Sequence, residues 1–128
     1  MDSRIRRGDI YRFRVEGGKF QTFLVIQNDI GNKYCQSVIV IPLTANLRSR
    51  KLFFTMLIEG NSVTGLEQDY VALFFLIRTL DKDRFNKFSK IGRLDSKYIS
   101  KMDEILKLSL GLSTLQQLET RLNNRKTS

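Results

Sequence analysis

Residues 20–28 read FQTFLVIQN, a run of aromatic and β-branched side chains that is typical of a β-strand. Upstream, residues 11–15 read YRFRV, and their alternation of apolar and basic side chains has the two-residue period of a half-buried strand. The dipeptide Gly17-Gly18 between the two runs favours a turn. The sequence therefore predicts that the fold begins with two strands joined by a tight turn.

Downstream of this strand pair, apolar stretches alternate with polar ones as far as residue 80. We expect a turn at 28–32, a strand over 37–43, a polar loop over 45–51, and further strands over 52–58 and 70–80. Pro42 has no backbone N–H, which predicts that its strand is interrupted there by a bulge, a sheet edge or a strand end. The stretch 70–80 is long and apolar, so it is expected to be a central strand.

The last third of the chain has the pattern of helices. Apolar residues recur at helical spacing from Ile99 to Leu110, Asp95 is a suitable N-terminal cap, and Gly111 suits the end of the helix. A second, shorter helix is expected over 113–123. Short strands followed by helices predict an antiparallel barrel or curled sheet with helices packed against it.

The chain is strongly basic. Its 22 Lys and Arg residues stand against 13 Asp and Glu, which gives a net charge of +9. Such an excess favours partners that are rich in phosphate, because each neutralised phosphate releases counterions. The alternative is that the basic residues serve solubility alone. Charge does not distinguish a nucleic acid that is cut from one that is only held.

Histidine does not occur in the sequence, and no carboxylate cluster, cysteine pair or glycine-rich phosphate loop takes its place. The commonest general acid–base and metal ligand are therefore missing. We expect any catalysis to use Arg, Lys, Thr, Asn or isolated acids, with no metal and no cofactor. The single cysteine, Cys35, fits a reducing cytoplasm, and the longest apolar run, 71–77, is too short to cross a membrane.

Four stretches, in order along the chain, match one family closely. They are RRGDIY at 6–11, LVIQNDIGN at 24–32, VIV at 38–40 leading to LTA at 43–45, and IRTLDK at 77–82 with Arg84. Residues 103–112 are similar to the helical ending of the same family. On these residues the chain resembles the MazF/PemK family of toxin–antitoxin ribonucleases.

The resemblance implies a mainly β fold with C-terminal helices, an SH3-like barrel of the MazF/PemK/CcdB type. Residues 1–112 would form this barrel with its helix, and 113–128 a short helical extension with a disordered tail. It also implies a cytoplasmic homodimeric toxin that cleaves single-stranded RNA without a metal. Its partners would be a cognate antitoxin peptide, whose tail occupies the RNA groove, and operator DNA reached through that antitoxin.

The family's catalytic pair is an Arg at the start of the second strand and a Thr at the end of the third. Thr44 stands at the Thr position, but the Arg position holds Gln21. Losing such a charge stabiliser typically slows a reaction about a hundred- to a thousand-fold, so we expect a weakened enzyme or an altered RNA preference. One hypothesis is that a bulge in the second strand lets Lys19 replace the missing cation; the alternative is an ordinary solvated lysine.

The remaining candidate RNA contacts are basic residues of the loop that follows Thr44. They are Arg48, Arg50 and Lys51, and a solvated basic loop explains them equally well. Two other positions depart from the family pattern, Tyr70 and Leu76, and the loop before residue 20 is short. These departures motivate an alternative: a catalytically inactive member that binds nucleic acid or an antitoxin. No feature favours the gyrase-poisoning role found on the same fold.

Overall fold

A curled antiparallel sheet with a helix at its C-terminal end forms the core of the molecule. The computed structural model describes residues 4–112, 119–120 and 122–124. The strands are β1 (Asp9–Arg14), β2 (Phe20–Val25), β3 (Ser37–Thr44), β4 (Thr55–Ile58), β5 (Tyr70–Leu73), β6 (Arg78–Asp81) and β7 (Lys90–Arg93). In these described residues the order is β4-β5-β3-β2-β1-β7, with β6 also paired to β3. The predicted β-rich fold with a C-terminal helix is confirmed.

Two α-helices and three single-turn 3₁₀ helices accompany the strands in the described part of the chain. The α-helices are α1 (Asp29–Tyr34) and α2 (Ile99–Ser109); the 3₁₀ helices are Leu47–Lys51, Lys82–Arg84 and Ser96–Tyr98. Asp95 caps the last 3₁₀ helix, which continues into α2, and Gly111 follows at a φ of 72°. Of the second predicted helix, only 119–120 and 122–124 are described, and these are helical; its other residues lie outside the described ones.

The strands β1 and β2 pair residue by residue, from Ile10 with Leu24 to Arg14 with Phe20. The pairing continues into the turn, where the Val15 N–H donates to the Lys19 carbonyl oxygen at 2.9 Å. The hypothesis of a bulge beside Lys19 is therefore wrong, and Lys19 is the exposed lysine of the alternative. Gly17 and Gly18, both at positive φ, form the turn that joins the two strands.

The strand β3 pairs with β2 on one edge and with two strands in succession on the other. Along that second edge β6 pairs with residues 37–40, and β5 pairs with Leu43 and Thr44. Pro42 lies in the gap between these two partners, opposite Phe23 of β2. The predicted strand end at Pro42 is wrong, because β3 runs on to Thr44, but on this second edge Pro42 pairs with neither strand, as the missing N–H predicts for a sheet edge.

The stretch 70–80, predicted as one central strand, is two short strands. Leu43 and Val40 of β3 are three residues apart, but their partners Ala72 and Arg78 are six apart. The chain between β5 and β6 therefore contains three residues more than the pairing with β3 requires, and these residues form a loop. This loop exposes Phe75, Leu76 and Ile77, which have the composition of a strand although they pair with none of the described ones.

Three local predictions change in detail. The turn expected at 28–32 is the start of α1, because the Asn28 side chain caps it by accepting a hydrogen bond from the Gly31 N–H at 2.8 Å. The expected strand over 52–58 begins only at Thr55. The short strand β7, which the sequence does not predict, pairs with β1 and closes one edge of the sheet.

Apolar side chains fill both faces of the sheet. On one face α2 contributes Met102 and Leu106 to a cluster with Leu24 and Ile41. On the other face Tyr11, Phe13, Phe23 and Phe85 form an aromatic cluster, with Phe13 and Phe23 stacked at 5.2 Å between ring centroids. Among the residues that the structure describes, no helix is long and apolar enough to cross a membrane.

Candidate functional site

The structure brings Gln21 and Thr44 together on one face of the sheet. The final pair of the β2–β3 ladder is Thr22 with Leu43, so Gln21 and Thr44 stand opposite one another at the next position. Residues opposite each other on antiparallel strands have Cβ atoms about 5 Å apart. Both residues are partly buried, at the margin of the aromatic cluster that contains Phe23.

A guanidinium group lies against Gln21. The Arg78 Nη1 donates a hydrogen bond to the Gln21 Oε1 at 3.1 Å, and its Cζ lies 5.5 Å from the centre of the Phe23 ring. These two contacts orient the Arg78 guanidinium group and leave its other N–H groups available. The structure therefore places a cation beside Gln21, the position at which the resemblance predicts an arginine.

Arg78 is not among the residues that the sequence predicts for the site. It belongs to the quoted stretch IRTLDK, but its approach to Gln21 depends on β6 pairing with β3, where Arg78 stands opposite Val40. Val40 in turn stands opposite Val25 of β2, two strand positions from Phe23 and on the same face. Because the sequence predicts a single long strand over 70–80, the pairing of Arg78 with Val40 could not be inferred from it.

The Thr44 side chain leads directly into a basic turn. Its Oγ1 accepts a hydrogen bond from the Asn46 N–H at 3.1 Å, which leaves the hydroxyl proton free to be donated. Asn46 caps the 3₁₀ helix Leu47–Lys51, on which the three basic side chains predicted as RNA contacts are exposed: Arg48, Arg50 and Lys51. Lys19 is also exposed, at the turn before β2.

Together these groups form a site suited to an anion. Arg78 supplies a fixed positive charge, Gln21 an amide, and Thr44 a hydroxyl donor on the same surface. Planar guanidinium groups bind phosphate oxygens through two parallel hydrogen bonds. Among the described residues, no three His, Cys, Asp or Glu side chains form a group that could hold a metal ion.

The opposite face of the sheet carries a polar network centred on Arg12. Its two Nη atoms donate to the two carboxylate oxygens of Glu67 at 2.9 and 3.0 Å, and its Nε donates to the Thr22 Oγ1 at 2.8 Å. Tyr70 accepts from Arg12 at 3.0 Å and donates to Glu67 at 2.7 Å. Tyr70 therefore fastens the loop before β5 to β1 and β2, on the face away from Gln21.

This network predicts a pH-dependent stability. The hydrogen bonds from Arg12 and then Tyr70 lower the pKa of Glu67 to about 2. Because the pKa is lower in the folded than in the unfolded chain, the ionised carboxylate stabilises the fold above about pH 4.5, and this contribution fades as the pH falls toward 2. Glu67 is half exposed, so the effect should stay below about 1 kcal/mol.

We expect Glu67→Gln to be less stable than the unaltered protein at pH 7 and nearly equal to it at the lowest pH. Urea unfolding at several pH values measures the difference in the free energy of unfolding between the two proteins. Tyr70→Phe, which keeps the Arg12–Glu67 pair, should retain most of the pH dependence. A stability difference that does not change with pH would show that the ion pair contributes nothing.

Comparisons with known proteins agree with this architecture. A family model described as PemK-like, MazF-like toxin of type II toxin-antitoxin system matches residues 6–110. Endoribonuclease EndoA of Bacillus subtilis is 39% identical over 114 residues, which cover 84% of this chain and 96% of that protein. Endoribonuclease MazF of Staphylococcus saprophyticus is 36% identical over 118 residues, covering 88% and 96%.

Solved structures show the same fold. An endoribonuclease in complex with its cognate antitoxin, from a Mycobacterial species, superposes with a TM-score of 0.71 at 24% identity and covers 86% of this chain and 98% of its own. The MazF of a MazE–MazF complex from Deinococcus radiodurans gives a TM-score of 0.68 at 18% identity, with 88% and 100% covered. With the family match over most of the chain, the protein belongs to the PemK/MazF family of toxins of type II toxin–antitoxin systems.

Proposed function

We propose that this protein is an endoribonuclease that cleaves single-stranded RNA, with Thr44, Gln21 and Arg78 at its reaction centre. The observation that carries the proposal is the Arg78 guanidinium, held 3.1 Å from Gln21 on the sheet face that Thr44 shares. Two relatives more than 35% identical to this chain are named endoribonucleases. The strongly basic composition suits a phosphate-rich substrate.

The chemistry needs negative charge to be stabilised on a phosphate. The 2′-hydroxyl of one nucleotide loses its proton and attacks the neighbouring phosphorus, while the bond to the 5′-oxygen breaks and that oxygen gains a proton. Arg78 would bind the oxygens on which charge develops, and the Thr44 hydroxyl would donate to the same group. Gln21 would orient the guanidinium through its amide oxygen. A fixed guanidinium meets this need without a metal ion.

Substitution of arginine by Gln21 would then leave Arg78, which lies in a stretch that the family shares, as the cation nearest the reacting phosphate. The charge arrives from β6 instead of β2, so it approaches the phosphate from a different side. A changed preference for the RNA sequence is the expected consequence, because the surrounding contacts must shift with the phosphate. The exposed cations of the turn after Thr44, Arg48, Arg50 and Lys51, would bind phosphates further along the strand, as would Lys19.

We further propose that the toxin is a homodimer that an antitoxin peptide neutralises in the cytoplasm, with operator DNA bound through that antitoxin. The loop between β5 and β6 exposes Phe75, Leu76 and Ile77, and the Ser109 hydroxyl donates to the Phe74 carbonyl oxygen at 3.3 Å. That contact brings the exposed Leu110 beside the loop, which creates an apolar surface of the kind that dimers cover. Sedimentation velocity that shows a monomer at micromolar concentration would refute the dimer.

The test of the proposed activity is cleavage of a long single-stranded RNA by purified protein in EDTA. We expect discrete fragments, and a loss of about a hundred- to a thousand-fold in rate for Thr44→Ala, because the variant lacks the hydroxyl donor. Thr79→Ala is the matched control: Thr79 is an exposed strand threonine on β6, outside the site. RNA that stays intact but is still bound at low salt would contradict cleavage and favour the inactive binding module.

A further inference from the structure

A pocket of about 840 Å³ lies between the N-terminal segment and the chain that leads from β6 into β7. Its floor is apolar and includes Ile5, Tyr11 and Phe85, which are all buried. Its volume falls in the range of pockets that hold small organic groups. Nothing in the proposed reaction at Thr44 uses this pocket.

Basic side chains surround the pocket. Five of its lining residues are cationic and, among the residues that the structure describes there, none is acidic: Arg4, Arg6, Lys82, Lys87 and Lys90. The Lys90 Nζ lies 3.3 Å from the carboxylate of buried Asp9, so its charge is partly offset. The Lys82 ammonium donates to the Lys33 carbonyl oxygen at 3.0 Å, which leaves two of its three N–H donors for a ligand.

An aromatic ring stands at the edge of the same pocket. Phe88 is 86% exposed, the largest exposed fraction among the large apolar side chains of the described residues, and the Lys87 Nζ lies 5.2 Å from its ring centre. A single exposed phenylalanine is ordinary on a protein surface. A ring at the edge of a basic pocket, however, offers the combination that single-stranded nucleic acids bind: cations for phosphates and a flat surface for a base.

The pocket is connected to the proposed reaction centre. The Phe85 ring packs edge-on against Tyr11 of the pocket floor at 5.1 Å and against Phe13 at 5.2 Å between ring centres. Phe13 stands opposite Gln21 in the β1–β2 ladder. Tyr11 and Phe13 are two strand positions apart, about 7 Å, and they lie on the same face of the sheet as Gln21.

We propose that this pocket binds a nucleotide of single-stranded RNA that flanks the cleaved bond. The phosphate would contact Lys82 and Lys87, and the base would stack on Phe88. The inference rests on the proposed function in so far as RNA is the substrate. Because stacking tolerates any base, the pocket should add affinity without selecting a sequence.

The test measures the binding of RNA oligonucleotides that carry a 2′-deoxy sugar at the cleavage site and so cannot be cut. We expect Phe88→Leu to weaken the Kd of an oligonucleotide of about 12 nucleotides roughly tenfold, since leucine keeps apolar volume but cannot stack. Phe88→Tyr, which keeps a ring, should bind as the unaltered protein does. Lys87→Gln should weaken binding and reduce its salt dependence, whereas Lys101→Gln, an exposed lysine on α2, should change neither.

A dinucleotide that contains only the cleaved linkage provides the second arm. Its binding should not respond to Phe88→Leu, because it cannot reach the pocket. An unchanged Kd of the long RNA for Phe88→Leu would overturn the inference, as would an equal loss for the dinucleotide. Loss of binding by an acidic antitoxin peptide, with RNA binding intact, would overturn it in favour of a peptide site.

The failure of the proposed function has a different signature. Uncut natural RNA whose binding still depends on Phe88 would refute the ribonuclease activity but support the pocket. Normal cleavage, together with RNA binding that does not depend on Phe88, would support the ribonuclease activity and refute the pocket. Because Phe88 is exposed, we expect its variants to keep the Tm of the unaltered protein, and this measurement accompanies each binding curve.

Discussion

Replacing Arg78 by alanine is expected to lower the rate of RNA cleavage about a hundred- to a thousand-fold, because it removes the charge that would stabilise the reacting phosphate. Arg78 is exposed, so the variant should remain folded. Single-turnover cleavage in EDTA, with excess protein, measures the chemical step apart from RNA binding. Arg78→Lys should recover only part of the rate, since an ammonium is a point charge that cannot form the paired hydrogen bonds of a guanidinium.

The decisive companion is the double variant Gln21→Arg with Arg78→Ala. It places a cation on β2, where the resemblance predicts the catalytic arginine, and we expect the rate to recover substantially. Arg84→Ala is the control, because Arg84 is a nearby exposed arginine whose Nη1 donates to the Arg14 carbonyl oxygen rather than to the site. An unchanged rate in Arg78→Ala would show that Arg78 has no part in catalysis.

Replacing Gly65 by alanine is expected to be among the most destabilising single changes in the fold. Gly65 lies in the loop between β4 and β5, which crosses β7 where the Arg93 N–H donates to the Val63 carbonyl oxygen at 3.0 Å. Its φ is +70°, and a Cβ there would overlap the Ile91 carbonyl oxygen. The left-handed backbone alone costs about 1–2 kcal/mol for a non-glycine residue. The overlap should add about 1–3 kcal/mol because backbone must move.

Gly17→Ala should incur only the first of these costs, the left-handed backbone, so the difference between the two variants measures the overlap. Gly17 has a similar φ of +88° in the β1–β2 turn, but nothing lies within 4 Å of its hypothetical Cβ. Urea unfolding of both variants should therefore show a larger loss of the free energy of unfolding for Gly65→Ala. Equal losses in the two variants would mean that the loop moves away from β7 without cost.

The hairpin of β1 and β2 could be predicted from sequence because its alternation and its glycine turn act locally. The helix after Asp95 could be predicted for the same reason. The division of the stretch 70–80 into two strands could not be predicted. Phe75, Leu76 and Ile77 are as apolar as strand residues, although they lie in an exposed loop. Apolar composition does not distinguish a residue that fills a core from one on an exposed apolar surface.

The candidate site, like the fold, could be predicted from the sequence only in part. Thr44 and Gln21 could be located through the resemblance, and their catalytic role stays a prediction. Arg78 could not be located, because its contact with Gln21 spans 57 residues and depends on the offset between β5 and β6. One expected departure from the family pattern, Tyr70, gains a physical account only in the structure, where its hydroxyl accepts a hydrogen bond from Arg12.

The separation of Gln21 from Arg78 also bears on the moment at which the toxin becomes active. Protein synthesis adds roughly 5–20 residues each second, so the 57 residues from the one after Gln21 to Arg78 itself take about 3–11 s. Throughout that interval the growing chain already contains Gln21, and for part of it Thr44, but not the guanidinium. In the proposed site, a chain released early by a failing ribosome would therefore be harmless, and cleavage of RNA would begin only after β6 has emerged and found β3.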